Sequence, residues 1–163
     1  MNLAIPRFLF AVCLTLGLCA AQVQVQAHAA DADDAQIRSL LDTYTRSVSS
    51  GDEGSFEALL LNRDIPFYGL NDGNAAAGAA APAAVQRYAS FRAAIFGSGE
   101  RFQQRFYDVK IVRDGGLAQV DLRFDTIRVA SGQGGTGWKV LHLLKVGGSW
   151  KIASEFYTVY RKQ

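Results

Sequence analysis

Residues 101–160 read RFQQRFYDVKIVRDGGLAQVDLRFDTIRVASGQGGTGWKVLHLLKVGGSWKIASEFYTVY, and this stretch decides the fold. Apolar and polar residues alternate through it with a period of two, the pattern of half-buried β-strands. Glycine pairs punctuate it. Asp114-Gly115-Gly116-Leu117 and Val146-Gly147-Gly148-Ser149 read as two-residue hairpin turns, and residues 130–135 (ASGQGG) as a longer loop. Four strands are expected, over about 101–113, 117–129, 136–147 and 149–160, connected as an antiparallel meander.

Upstream the period changes to that of a helix. Ile37, Leu40, Leu41, Tyr44 and Val48 form one apolar stripe, with Asp31–Asp34 as acidic N-caps and Ser49-Ser50-Gly51 as the stop. Asp52 can cap a second, shorter helix carrying Phe56, Leu59 and Leu60. Residues 65–70 (IPFYGL) read as a short strand that Pro66 confines to an edge or a strand start. Residues 71–74 read as a turn and the Ala-rich residues 75–84 as a loop, with Pro82 in the first turn of a third helix. Val85, Tyr88, Phe91, Ala94 and Ile95 make that helix's stripe, and Gly97-Ser98-Gly99 ends it. Helices segregated from an antiparallel meander predict an α+β class: three N-terminal helices packed on a curved, mainly antiparallel sheet.

Residues 1–29 read as a secretory signal peptide. Arg7 supplies the positive charge, residues 8–21 (FLFAVCLTLGLCAA) the apolar run, and Ala27-His28-Ala29 the cleavage site. The polar residues 22–26 (QVQVQ) end the run short of a membrane span, and Leu18 before Cys19 is a poor lipidation context. Cleavage after Ala29 leaves a single domain, residues 30–163, in the periplasm or outside the cell, with no membrane span. Both Cys13 and Cys19 are then lost, so a thiol nucleophile, a thiolate metal site and a redox role are excluded for the mature form.

The whole chain has 163 residues and a net charge of only +2, with no basic run, so no nucleic-acid partner is expected. It holds no zinc-protease helix, nucleophile elbow, phosphate loop or dinucleotide fingerprint. With His142 as the one mature histidine and its acids scattered, neither a metal nor another cofactor is expected.

The hairpin turns set a register. The first places Lys110 opposite Asp121 and Asp108 opposite Arg123; the second places Lys145 opposite Trp150 and Val140 opposite Glu155. For the longer loop, pairing Leu122 with Leu144 also sets Asp121 opposite Lys145, a favourable cross-strand charge pair. On this register one face carries Ile111, Val120, Leu122, Phe124, Trp138, Val140, His142 and Val146 and lies under the helices. The outer face carries Asp121 and Asp125 as cross-strand partners of Lys and Arg, and it becomes a homodimer surface through Trp150, Ile152 and Phe156. One end of the inner face is polar and aromatic. Arg105, Tyr107, Trp138, His142, Glu155 and Tyr157 are therefore the candidate lining of a ligand pocket.

Within that set, His142 and Glu155 are the candidate proton-transfer groups, His142 because an imidazole suits proton transfer near neutral pH and Glu155 because an inward carboxylate suits a general base. The plainer readings are a hydrogen-bonded core imidazole and a Glu155 paired with an arginine such as Arg105 or Arg128. Tyr44, Tyr68, Tyr107 and Tyr157 are available as hydroxyl donors.

The first helix, IRSLLDTYTRSVSSGD, and the terminal hairpin, GWKVLHLLKVGGSWKIASEFYTVY, resemble the nuclear transport factor 2-like superfamily, and among it the SnoaL-like and lumazine-binding-like secreted bacterial domains. The resemblance spans residues 35–160 and implies a cystatin-like cone. It does not imply one activity, because the superfamily includes isomerases, dehydratases, cyclases, carriers and scaffolds. The paired His and Asp of the dehydratases are not met by a chain with one mature histidine. Three functions are carried forward: a non-catalytic domain that binds a small apolar or aromatic molecule, a SnoaL-like isomerase or cyclase, and a structural dimerisation module.

Overall fold

A computed structural model describes residues 12–71 and 87–162. The chain divides into two units, Met1–Ala35 and Gln36–Gln163. Residues 1–11 and 72–86 lie outside the described residues, and with them the expected Ala-rich loop 75–84, Pro82, Val85 and all of the expected 71–74 turn but Asn71, which ends a strand. Helix α1 runs Val12–Ser50, α2 Glu53–Glu57 and α3 Tyr88–Ile95. Strand β1 runs Phe67–Asn71, β2 Phe102–Asp114, β3 Leu117–Arg128, β4 Gly134–Val146 and β5 Ser149–Lys162. Among the described residues no helix is long and apolar enough to cross a membrane.

The start of α1 differs from expectation. Asp31–Asp34 do not cap it, because the helix is already continuous from Val12. Residues 20–30 (AAQVQVQAHAA), just upstream, are rich in alanine and glutamine, favour helix and contain no glycine or proline to stop it. Its end is as expected, with Gly51 just past Ser50 in the left-handed conformation at φ +76°. Asp52 then caps α2 by accepting from the Ser55 amide at 3.0 Å.

The five strands form one sheet in the order β1-β5-β4-β3-β2. All neighbours are antiparallel except β1, which runs parallel to β5 at the edge, immediately after Pro66. The helical stripe Ile37, Leu40, Leu41, Tyr44 and Val48 is wholly buried. With Phe56, Phe67, Tyr88 and the inner residues of β3–β5 it makes a single core. The class is α+β, helices on a mixed five-stranded sheet.

Three features of the sheet depart from the expected register. The first hairpin pairs Lys110 with Asp121 as expected, but a β-bulge follows, so Tyr107 rather than Asp108 lies opposite Arg123. Asp108 sits in the bulge with φ +52°. A second bulge in β5 sets His142 opposite Ser154 and Leu143 opposite Ile152, leaving Ala153 as the extra residue; Val140 then faces Phe156, not Glu155. Lastly, Leu122 pairs with Lys139, not Leu144, and Asp121 with Val140, not Lys145. That is a shift of an odd number of residues, which turns every β4 side chain to the other face.

Energetics explain the last difference. A cross-strand charge pair contributes about 0.2–1 kcal/mol. Burying one leucine contributes about 1.5–3 kcal/mol. The observed register buries both Leu141 and Leu143, each fully. The expected one would have left them on the outer face.

Candidate functional site

The inner face of β4 presents Lys139 to the centre of the cone, and β5 presents Glu155 there. Lys139 is 2% exposed and Glu155 is fully buried. The second bulge is what lets Ile152 and Glu155 both point inward although they are three residues apart. Helix α1 delivers Tyr44 from above, on the stripe that the sequence marks as core.

These three groups satisfy one another. The Lys139 ammonium donates to Glu155 Oε1 at 2.7 Å and to the Tyr44 hydroxyl at 2.7 Å. The Tyr44 hydroxyl donates to the Glu155 carboxylate, 2.9 Å from Oε2 and 3.1 Å from Oε1. Four rings surround the ammonium: its nitrogen is 4.5 Å from the Tyr44 centroid, 5.0 Å from Phe124, 5.4 Å from Phe106 and 5.5 Å from Tyr157. This is an aromatic cage around a cation, closed on one side by a carboxylate. A buried charge needs such partners, because desolvation of an isolated ammonium is prohibitive.

The cage perturbs its members in ways that follow from burial. Desolvation pushes the Tyr44 hydroxyl well above the usual tyrosine value, and the adjacent Glu155 charge pushes it further. Burial likewise pushes Tyr157 up to about 12, again with help from Glu155. Burial pulls Lys139 below the usual lysine value, and Glu155 opposes that pull.

The six residues expected to line a pocket do not share a place. Glu155 and Tyr157 are on the inner face, within the cage. His142 is on the outer face: its Nδ1 is 2.7 Å from Ser154 Oγ and its ring packs edge-on to Phe156 at 6.1 Å. Trp138 is also outside and 46% exposed. Arg105 and Tyr107 moved to the outer face because the β2 bulge reverses the alternation below it; Arg105 donates to Asp125 at 2.9 Å, and the Tyr107 hydroxyl is 3.4 Å from the same carboxylate. Asp125 is buried rather than solvated. The arginine partner expected for Glu155 is replaced by Lys139. Trp150 and Ile152, expected on a dimer surface, are buried in the core, and of that trio only Phe156 is exposed.

Lys139 carries no signal in the sequence beyond its parity, and the register that pairs Leu122 with Leu144 turns that parity outward. Phe106 and Phe124 read as ordinary core. Among the described residues no cluster of three His, Cys, Asp or Glu side chains is placed to hold a metal.

Open space lies elsewhere: a polar hollow of about 580 Å³ beside the α1–α2 turn, lined by Arg46, Ser50, Asp52 and Arg101 among others, and a cleft of about 400 Å³ between α1 and β2. In the cleft between α1 and β2 the apolar wall is Leu41, Phe106 and Val109, the polar side chains are Arg38, Asp42, Thr45 and Gln104, and Arg105 borders it at the strand while its guanidinium turns to Asp125 on the outer face. The β2 bulge forms one side of it, with Asp108 next to Val109. Bulges bend a strand and re-aim its side chains, and they recur beside functional sites. Phe106 separates this cleft from the caged ammonium.

The architecture matches solved structures. An NTF2-like protein of unknown function from Shewanella baltica superposes with a TM-score of 0.57 at 18% identity, covering 78% of this chain and 93% of that one. An NTF2-like protein of unknown function from Pseudomonas putida gives 0.61 at 16% identity, over 78% and 87%. The chain has the nuclear transport factor 2-like fold. A protein from Nostoc punctiforme described as having a cystatin-like fold also matches, at 0.57 and 12% identity, over 78% and 90%. No protein-family model matches the chain, and no curated protein matches it in sequence. Within the NTF2-like cone, the concave centre of this chain is taken up by its own lysine.

Proposed function

We propose that this is an exported, non-catalytic NTF2-like domain that binds a small, mostly apolar molecule in the cleft between α1 and β2. One observation carries the reading. The cone centre is filled by Lys139, whose polar neighbours are all paired internally, while the cleft stays open at about 400 Å³. That volume falls in the range of small-molecule sites, which run from about 300 to 1,000 Å³. A general acid or base needs hydrogen-bond reach to a substrate. Glu155 reaches Lys139 and Tyr44, and His142 reaches Ser154 on the opposite face of the sheet.

The export part rests on residues 1–29. Its test is the mass of the protein recovered from the cell envelope or culture fluid: a chain beginning at Ala30 supports it, and an intact chain in the cytoplasm overturns it. The binding part is tested by a fragment screen read through backbone amide shifts. Shifts confined to Leu41, Gln104, Phe106 and Val109 support the cleft. Shifts centred on Tyr44, Lys139 and Glu155 favour the acid–base isomerase or cyclase reading instead.

A homodimer through the outer sheet face is a second reading, favoured by Trp138, Phe156 and Tyr160, which are 46%, 41% and 50% exposed on neighbouring strands β4 and β5. Native mass spectrometry of the wild type and of Trp138→Ser/Phe156→Ser decides it. A dimer that the double substitution dissociates supports the reading, and a wild-type monomer ends it.

A further inference from the structure

The hollow beside the α1–α2 turn is a second open space, apart from the cleft. Its volume of about 580 Å³ also falls in the range of small-molecule sites. Its walls come from the last two turns of α1, the start of α2 and Arg101, the residue before β2. Where the cleft has an apolar wall, the hollow has hydroxyl and charged side chains: Arg46, Ser47, Ser49, Asp52, Ser55 and Arg101 are among them.

Ser47 supplies the observation that points to a ligand. A hydroxyl on a helix ordinarily returns its proton to a carbonyl three or four residues back. The neighbours of Ser47 do so: Thr43 donates to the Ser39 carbonyl at 2.9 Å, Thr45 to Asp42 at 3.1 Å and Ser50 to Ser47 at 3.4 Å. Ser47 is only 3% exposed, yet its hydroxyl bonds to no described residue. The one unpaired side-chain atom sealed from solvent among the described residues is Gln104 Oε1, so the Ser47 hydroxyl keeps its access to the hollow that it lines. Buried polar groups are nearly always paired, and the partner of this one arrives from outside. Ser49 holds a second unspent proton, because its Oγ accepts from the Gln104 amide at 3.0 Å and donates to no described residue.

The chemistry of the walls selects the ligand. Arg46 gives one N–H to Thr43 Oγ1 at 2.9 Å, and Arg101 gives its guanidinium to no described residue, so both keep donors in hand. Asp52 brings an acceptor: its Oδ1 takes the Ser55 amide, and the residue stays exposed. A cation would face two guanidiniums. An anion would face the Asp52 carboxylate and the carbonyl end of α1. An apolar body would strip water from hydroxyls and charges without replacing it. A polyol meets every group with a match, because each of its hydroxyls both donates and accepts.

We infer that the hollow binds a polyol with adjacent hydroxyls, the chemistry of a sugar ring. Its hydroxyls take the places that the protein leaves open: the Ser47 hydroxyl, the Arg101 guanidinium and the Asp52 carboxylate. The parallel N–H groups of the Arg101 fork suit two neighbouring hydroxyls.

The purified protein is titrated at constant ionic strength with the methyl α-glycosides of glucose, galactose and mannose, with cyclohexanol and with inorganic sulfate, and followed by the amide shifts of Ser47, Ser50 and Arg101. At least one glycoside should shift these amides saturably, and cyclohexanol and sulfate should not. Ser47→Ala should weaken that glycoside about fivefold, and so should Arg101→Gln, a change at an exposed position. Ser47→Ala should also unfold at the wild-type temperature or above, since alanine favours helix and no hydrogen bond within the protein is lost. A lower unfolding temperature would make the hydroxyl a structural donor, and a glycoside that binds wild type and Ser47→Ala equally would take Ser47 out of the site; either overturns the inference. Saturable shifts with sulfate alone would replace the polyol by an oxyanion. Silence from all three glycosides ends the sugar site and leaves the cleft reading, followed through Leu41, Phe106 and Val109, to its own test.

Discussion

The Lys139 ammonium and the Glu155 carboxylate meet at 2.7 Å inside a shell of aromatic rings, with both side chains closed to solvent. Taking both charges out of water costs several kcal/mol per ion, so the pair is a weak source of net stability but a strong constraint on its partners. Removing one charge leaves the other buried and unpaired. Glu155→Gln and Lys139→Met should each destabilise the protein by about 3–5 kcal/mol, measured by urea unfolding. The double substitution should recover most of that loss. Additive losses in the double mutant would show that the two groups are not coupled.

If the cage is a cation site that the chain fills with its own side chain, then Lys139→Ala leaves an empty ammonium site. Propylammonium matches the atoms removed. At saturating concentration it should restore about 1–2 kcal/mol of stability to Lys139→Ala and do nothing for the wild type. The neutral 1-propanol should not substitute, because the cage and Glu155 select charge as well as shape. Equal rescue by the alcohol would reduce the site to a hydrophobic cavity. Should Lys139→Ala fold only in part, the amine-dependent gain in folded fraction gives the same reading.

Much of this centre was legible in the sequence, and the illegible part has one cause. The α1 stripe, the Asp52 cap, the edge position of β1 and the two glycine hairpins follow from local chemistry, and the structure has them. Strand faces are not local. They depend on counting residues from a turn, and a single bulge reverses the count. Asp108 and Ala153 each do so once, and the five-residue connection between β3 and β4 leaves a choice of register that charge pairing decides the wrong way. The odd shift of β4 and the bulge of β5 cancel beyond Ala153, so Glu155 and Tyr157 face inward as expected, while Trp138 and His142 exchange faces with Lys139 and Leu141. Choosing the register that buries Leu141 and Leu143 would have found Lys139.

The buried tyrosines make the fold sensitive to alkali. Burial raises the hydroxyls of Tyr44, Tyr88 and Tyr157 above the unfolded value, with Tyr157 pushed up to about 12. A group whose value is raised on folding contributes stability that is complete below its unfolded pKa of about 10 and is lost as pH climbs toward its folded pKa. Tyr157 alone accounts for on the order of 2 kcal/mol across that window. Lys139 acts in the opposite sense, because burial lowers it, and stability gained from it rises with pH just below the ordinary lysine value. Three groups oppose one, so unfolding should set in between about pH 10 and pH 12. Tyrosinate absorbance from these three should appear together with loss of the near-ultraviolet circular dichroism. A Tyr157→Phe variant should unfold at higher pH than the wild type. Complete tyrosine ionisation with the fold intact would contradict the burial argument.

The bulge at Asp108 gives the sharpest test of how the fold makes room for a ligand. Asp108 and Val109 together stand where a regular ladder has one residue, opposite Leu122. Deleting Asp108 therefore gives a regular ladder in which Lys110 still meets Asp121 and Tyr107 still meets Arg123. Every other side chain of β2 keeps its face, so Phe106 and Gln104 remain inward. The deletion also removes a non-glycine residue at φ +52°, a conformation that costs on the order of 1 kcal/mol. The variant should fold, with unfolding free energy within about 1–2 kcal/mol of the wild type. What it should lose is the bend that holds β2 away from α1, and with it the affinity for any molecule that shifts the cleft amides. A deletion variant that fails to fold would mean that the bulge sets the curvature of the whole sheet. One that folds and binds normally would mean that the cleft owes nothing to it.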